Sequence, residues 1–325
     1  MASDSDPLVL ATRRGLYCPQ GDFYIDPWRP VQTAVITHGH GDHLRQGHAR
    51  YILARSGMGI ARERLGGSHD LLAVDYGTRH TLGSTTVSLH PAGHILGSAQ
   101  IRIEHGERVW IVSGDYKRES DPTCAPFEPL ECDVFVSEAT FASPQYRWPP
   151  AQQVVEEILR WWHANRERDL ASVLFCYALG KAQRILAELA AFTSEPVYVH
   201  GAMTALIEVY RAAGVAMVPT VPVTRPNRTQ YRGALILAPP SARRSSWMRS
   251  FGAISRGFCS GWTCVQGDPR GAGYDRGFVL SDHADWPALV TTCEQTRAQR
   301  VFLTHGCGEA LIGHLEARGI DARAL

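Results

Sequence analysis

The stretch THGHGDHL, residues 37–44, sets three histidines and one aspartate within six positions. Neutral imidazoles and carboxylates are common ligands of zinc and similar transition metals, and a polar turn has little use for so many of them. His38 and His40 are two apart, and Asp42 and His43 follow after one glycine. If a strand ends just before this loop, the first pair can converge on one cation and the second pair on another. Gly39 and Gly41 allow the tight path this needs.

Outward from this loop, short apolar runs at 31–36 (VQTAVI), 85–89, 99–103, 108–112 and 133–136 are separated by glycine and polar turns, which predicts strands. Residues 149–169 carry apolar groups at helical spacing with Pro150 near the first turn. Segments 172–178, 181–192, 195–200 and 203–214 continue as strand, helix, strand and helix, a parallel α/β pattern. GFVLSDH, ADWPALVTTCEQTRAQ, RVFLTH and GEALIGHLEARG then read as strand, helix, strand and helix. Five polar residues share one kind of position, just after a predicted strand: His38, Asp115, Glu138, His283 and His305. A sheet fixes such positions while the following loop leaves them accessible, so one shared pocket is expected.

That pocket completes the ligand count. His94 in PAGHILGSA joins His38, His40 and Asp115 on one cation; Asp42, His43, His305 and a bridging Asp115 serve the other. Two ions about 3.5–4 Å apart lower the pKa of a shared water and neutralise charge on a phosphoryl group. Asp26, closing the run DFYID, is placed either to orient a ligand histidine or to cap a turn. His90 is left outside the ligand set, and Cys307, beside His305, reads as an incidental thiol.

The chain of 325 residues has a formal charge of only +1, but the charge is unevenly spread. From Val221 to Leu280 there are nine arginines, no lysine and two aspartates, a local +7, interleaved with seven aromatic residues. Arginine forks suit phosphate and aromatic faces stack on bases; a solvated basic surface over ordinary core aromatics has the same composition. The eight cysteines form no CxxC pair, no secretory apolar region opens the chain, and no apolar run is long enough to span a membrane. A cytoplasmic protein without membrane contact is expected, and oligomeric state is not readable.

The combination of FYID, THGHGDH, AGHILGSAQ and SGDY resembles the metal core of the metallo-β-lactamase fold. EAT at 138–140, LSDHAD at 280–285, THG at 304–306 and LGKAQRIL at 179–186 are similar to the β-CASP nuclease branch. Within it the pattern most resembles the bacterial ligase-associated DNA exonucleases, related to eukaryotic DNA-crosslink-repair nucleases. The resemblance runs over nearly the whole chain and implies an α/β fold: an αββα metallo-β-lactamase sandwich from residues 1–145 and 277–325, with a β-CASP α/β domain, 146–276, inserted. It supports Asp26, His38, His40, Asp42, His43, His94 and Asp115 as the metal-site motifs, and Glu138, His283 and His305 as the β-CASP positions. Crosslink-repair relatives commonly carry an aliphatic group where His305 stands and RNA-processing relatives carry histidine. His305 thus strengthens a two-metal site and weakens a direct transfer of DNA specificity.

The activity implied is a metal-dependent phosphodiesterase degrading DNA from its ends, 5′ to 3′, in DNA repair, with two zinc ions that manganese can replace and a metal-bridged hydroxide. Asp42, His283, Glu138 and Asp26 form the catalytic set. RNA cleavage is the alternative within the same chemistry; a catalytically silent nucleic-acid-binding scaffold and a small-substrate hydrolase are alternatives from other classes. Association with an ATP-dependent DNA ligase or a helicase is suggested by the family name alone. Arg243, Arg244 and Lys181 are the candidate phosphate contacts, Lys181 because a helix N-terminus and a cation both favour phosphate. An exposed solubilising lysine is the equal alternative there.

Overall fold

The computed structural model describes residues 7–223, 229–265, 273–306 and 308–325. Arg225, Arg228, Asp268, Arg270 and Cys307 lie outside the described residues. The chain divides into two compact units, Met1–Pro144 with His283–Leu325, and Gln145–Asp282.

The first unit holds two sheets. One runs in chain order: β1 (Leu10–Thr12), β2 (Gly15–Cys18), β3 (Phe23–Ile25), β4 (Thr33–Val35), β5 (Arg50–Ala54) and β6 (Asp70–Val74). Its first two pairings are antiparallel, and β3 to β6 are parallel. The second is assembled from β7 (His80–Leu82), β8 (Thr85–Pro91), β9 (Ala99–His105), β10 (Arg108–Val112) and β11 (Val134–Glu138), closed by β18 (Arg300–Thr304) and β19 (Asp321–Ala324). Its spatial order is β19-β18-β11-β10-β9-β8-β7.

Strand alternation sorts the side chains into layers. Ile52 and Ala54 of β5 meet Trp110 and Val112 of β10 and Val134 and Val136 of β11 in one apolar layer between the sheets. Tyr51 and Leu53 face the other way, onto Ala61 and Leu65 of helix α1 (Met58–Leu65). Ile111 and Phe135 likewise face outward, onto Trp286, Leu289 and Cys293 of α6 (Trp286–Gln295) and Leu311 and Leu315 of α7 (Glu309–Glu316). The unit is therefore layered helix, sheet, sheet, helix. Helix α6 starts where Asp285 accepts from the Ala288 N–H, with Pro287 in the first turn, where a missing N–H costs nothing.

The second unit is one all-parallel sheet, order β14-β13-β15-β12-β16-β17, made of β12 (Ala171–Phe175), β13 (Val197–Val199), β14 (Thr220–Pro222), β15 (Leu235–Ala238), β16 (Ile254–Cys259) and β17 (Arg276–Phe278). Leu174, Leu235 and Leu237 pack on one face against α2 (Ala151–Arg166), α3 (Lys181–Leu189) and α4 (Gly201–Ala212). Val173, Phe175, Ile236 and Ala238 pack on the other face with Tyr231, Phe251, Tyr274 and Met248, the last from the short α5 (Ser246–Arg249). Burial on both faces is why these strands read as continuous apolar runs.

The helix expected at 149–169 occupies Ala151–Arg166, capped by Pro150. The closing boundary expected at 276/277 falls at 282/283, because β17 is hydrogen-bonded to β16 and so belongs to the second unit. Among the described residues, no helix is long and apolar enough to cross a membrane. Phe135 is fully buried between β11 and the α6/α7 layer. Phe135→Ala is expected to destabilise the first unit by about 3–5 kcal/mol, read as a lowered urea midpoint for its unfolding, and Phe135→Leu by less.

Candidate metal centre

Strand direction collects the site. β8, β10, β11 and β18 point the same way, since β9 is antiparallel to both β8 and β10 while β10, β11 and β18 are mutually parallel. His94, Asp115, Glu138 and His305 therefore leave one edge of the second sheet. In the first sheet, Asp26 follows β3 and His38 follows the parallel β4. Gly114, at φ +57°, lets the two sheets' loops meet: a Cβ there would stand 2.5 Å from Thr37 Cβ, one residue before His38.

One ligand atom from each of His38, His40, His94 and Asp115 lies within 4.8 Å of the others. His40 Nδ1 is 3.1 Å from both His38 Nε2 and His94 Nε2, and Asp115 Oδ2 is 3.5 Å from the first and 3.7 Å from the second. One nitrogen can hold one proton, so His40 Nδ1 cannot donate to both neighbours at once; a cation suits all four donor atoms. His43 stands alongside, its Nε2 3.6 Å from Asp115 Oδ2 and 3.8 Å from Asp42 Oδ2. That Nε2 is buried and has no hydrogen-bond partner.

Hydrogen bonding sets the tautomers. Asp26 accepts from Thr37 N–H (2.8 Å) and Thr37 Oγ1–H (2.6 Å), and its Oδ2 lies 2.7 Å from His43 Nδ1. With its only proton given to Asp26, the Thr37 oxygen accepts from His38 Nδ1, 3.1 Å away. Both histidines then turn Nε2 lone pairs toward Asp115, as metal-binding imidazoles do. Burial, with help from the neighbouring histidines, holds His38 well below its ordinary pKa and in its neutral, ligating form. For His43 burial opposes the charge, but Asp115, Asp26 and Asp42 outweigh it and push the group up to about 10. Asp115 is shifted well below the usual carboxylate range: burial opposes its charge, and the histidine cluster wins. The carboxylates thus favour positive charge at this position, which suits a cation.

His305 is exposed, at φ +52°, with its ring stacked 5.2 Å from that of His43 and its Nδ1 3.2 Å from Thr304 Oγ1. It lies beside the centre, but among the described residues the groups that close on a cation do not include it. Glu138 is fully buried, accepts from the Tyr116 N–H at 2.7 Å, and places Oε2 2.8 Å from His283 Nδ1. Asp115, Glu138 and His283 form a second group able to hold a cation. His90, left outside the ligand set, engages both ring nitrogens elsewhere, on Ser88 and Glu128.

The three expected phosphate contacts belong to the second unit. Lys181 corrects its reading: it is 3% exposed, with Nζ 2.8 Å from Asp282 Oδ1, and burial lowers its pKa against the pull of Asp282. With Arg184, which donates to Ser281 O at 2.6 Å, it secures the segment that precedes His283 in the chain. Arg243 is half-buried with its guanidinium 5.1 Å from the Tyr274 ring, and Arg244 is exposed. Three supports escaped sequence reading: Thr37, Gly114 and Ser98, whose Oγ accepts from the His94 N–H at 3.0 Å. Of these, only Thr37 carried a signal, its place immediately before His38.

No protein-family model matches the chain. It is 31% identical over 321 residues, 98% of its length, to a protein of Opitutus terrae described as "Probable DNA ligase". It is 29% identical over 136 residues to endoribonuclease YSH1 of Gibberella zeae and 29% identical over 149 residues to endoribonuclease YSH1 of Saccharomyces cerevisiae, matches covering 39% and 43% of this chain. The chain spans 31% of the length of the Opitutus relative and 16% and 19% of the two endoribonucleases. In fold it is similar to a crystallised protein of unknown function from Enterococcus faecalis V583, with a TM-score of 0.57 and 12% identity over 90% of this chain and 79% of that one.

Asp26→Ala removes the acceptor that orients His43 and Thr37. Metal affinity is expected to drop by about 10- to 100-fold, measured by competition with a chromophoric chelator; unchanged affinity would return Asp26 to a turn-capping role.

Proposed function

We propose that this chain is a metal-dependent nuclease of the metallo-β-lactamase fold, its second unit a β-CASP insertion, acting on DNA from the 5′ end. The observation that carries the reading is the convergence of His38, His40, His94 and Asp115 beside the partnerless, buried His43 Nε2. The identity to the Opitutus protein, which extends over 98% of this chain, supports nucleic acid as the substrate class and DNA as the first choice. Two zinc ions, replaceable by manganese, are proposed, held by His38, His40, His94 and Asp115 and by Asp42, His43, Asp115 and His305. When bound, such ions supply Lewis acidity toward a phosphoryl oxygen and a water nucleophile that ionises near neutral pH.

The protein's own groups do the rest. Asp26 and Thr37 hold two imidazoles in the ligating tautomer. Asp42, with a side chain 66% exposed, is placed to meet solvent and a cation together. Glu138 holds His283 Nδ1 and leaves Nε2 to give a proton to the leaving oxygen. Arg243 and Arg244 are proposed to add salt-dependent affinity for phosphates.

RNA cleavage is the second reading, favoured by the endoribonuclease relatives and by the histidine at position 305. Metal-loaded protein digesting end-labelled single-stranded DNA, duplex DNA and RNA separates the two. Labelled DNA shortening from its 5′ end is the expected result, and cleavage of RNA alone would select the second reading. Chelation should abolish cleavage, and zinc or manganese should restore it.

His283→Ala is expected to keep its metals and depress single-turnover cleavage by about 10²- to 10⁴-fold. Glu138→Gln should lose less, since it orients rather than reacts. Near-normal cleavage by a metal-loaded His283→Ala protein would remove the histidine from the chemistry.

A further inference from the structure

Trp28 is half exposed, two residues beyond the aspartate that holds His43. Its backbone N–H donates to Arg14 O at 2.7 Å, which fastens the loop after β3 to the β1–β2 turn. That turn carries Arg13 and Arg14, both exposed. Because β2 runs antiparallel to β3, the turn lies at the edge where β3 ends, the edge of the metal loop. Arg29 is exposed next to Trp28. From α1, Arg64 lies against the metal loop itself: its Nη2 would be 2.8 Å from a Cβ on Gly41.

Carboxylates neutralise several other arginines on the unit's surface. Arg50, Arg55, Arg79 and Arg300 each pair with a carboxylate, Asp70, Asp75, Glu104 and Asp321 in turn. Among the described residues, none of Arg13, Arg14, Arg29 and Arg64 pairs with one. Guanidinium groups without carboxylates, on loops at the edge that also carries a large exposed indole, leave their counter-charge to be supplied from outside. Phosphates spaced along a strand supply that charge, and a base supplies the face that the indole lacks.

We infer that Trp28, with Arg13, Arg14, Arg29 and Arg64, forms a docking track for single-stranded nucleic acid on the metal-bearing unit, Trp28 stacking on a base and the arginines holding flanking phosphates. The track rests on the nuclease reading for its purpose, since it leads a strand to the candidate metal centre. It needs no contribution from the arginine-rich segment 221–280.

The test is binding of a fluorescein-labelled oligothymidylate by fluorescence anisotropy across a salt series, with cleavage of the same strand followed in parallel. Trp28→Ala should weaken binding by about tenfold, Trp28→Phe should recover most of the loss, and metal content should stay at the wild-type level in both. An abasic strand should bind the wild type more weakly and be insensitive to Trp28→Ala, an insensitivity that a folding defect would not produce. The Arg13→Ala/Arg14→Ala double variant should flatten the slope of log affinity against log salt by about 1.4, the value for two phosphates on a single strand. Equal binding of the strand by wild type and Trp28→Ala, or a Trp28→Ala loss that persists on the abasic strand, would overturn the track. Wild-type protein that binds with these dependences yet cleaves neither DNA nor RNA would leave the track standing and remove the nuclease reading.

Discussion

The carboxylate of Asp26 takes three hydrogen bonds, from the Thr37 backbone, the Thr37 hydroxyl and His43, and so ties the end of β3 to the loop after β4. Bonds to a charged acceptor contribute roughly 1.5–3 kcal/mol each. Together they exceed the roughly 1–3 kcal/mol that a left-handed non-glycine backbone costs, and Asp26 sits at φ +44°. The strain is tolerated because the bonds exist. Released from them, Thr37 could offer its proton to His38 and His43 could turn over, and two Nε2 lone pairs would no longer face Asp115.

The second requirement is directional. Strands β8, β10, β11 and β18 end on one edge, so His94, Asp115, Glu138 and His305 need no long loops to meet. Their backbones are fixed by ladder hydrogen bonds and by the apolar layers above and below. A buried carboxylate such as Asp115 would be costly alone; among imidazoles, and with a cation, it becomes the group around which the others orient. The Glu138–His283 pair repeats this on a smaller scale, a buried acid fixing a more exposed base.

Much of this was legible in the sequence for a physical reason. Ligands clustered in one loop, as at 38–43, declare themselves by composition, and strands buried on both faces, such as β12, declare themselves as apolar runs. Short strands of mixed burial are harder to read: β1, with two exposed residues in three, and β6, in which part-buried Leu71 and Ala73 alternate with exposed Asp70 and Leu72, carry apolar residues without burying all of them. Lys181 misled because a lysine at a helix start looks like a phosphate ligand, whereas its partner, Asp282, is a hundred positions away and visible only in three dimensions. Thr37 and Gly114 act through one hydroxyl and one absent Cβ, features with no periodicity to detect. The boundary near 276 moved because a three-residue strand can join either neighbour on pattern alone, and ladder pairing decides.

The discontinuous first unit has a consequence for synthesis. β11 emerges from the ribosome long before β18, its parallel neighbour, which begins at Arg300. Until then the nascent second sheet ends in β11, whose five residues are all buried in the finished protein, an edge of the kind that pairs promiscuously. The intervening all-parallel unit can mature meanwhile, as domains generally fold as units. His283 and His305 arrive with the same segment that covers the edge. A polypeptide stalled or clipped before that segment would lack both its sheet closure and the proposed proton donor, so the fold couples quality of assembly to chemical competence.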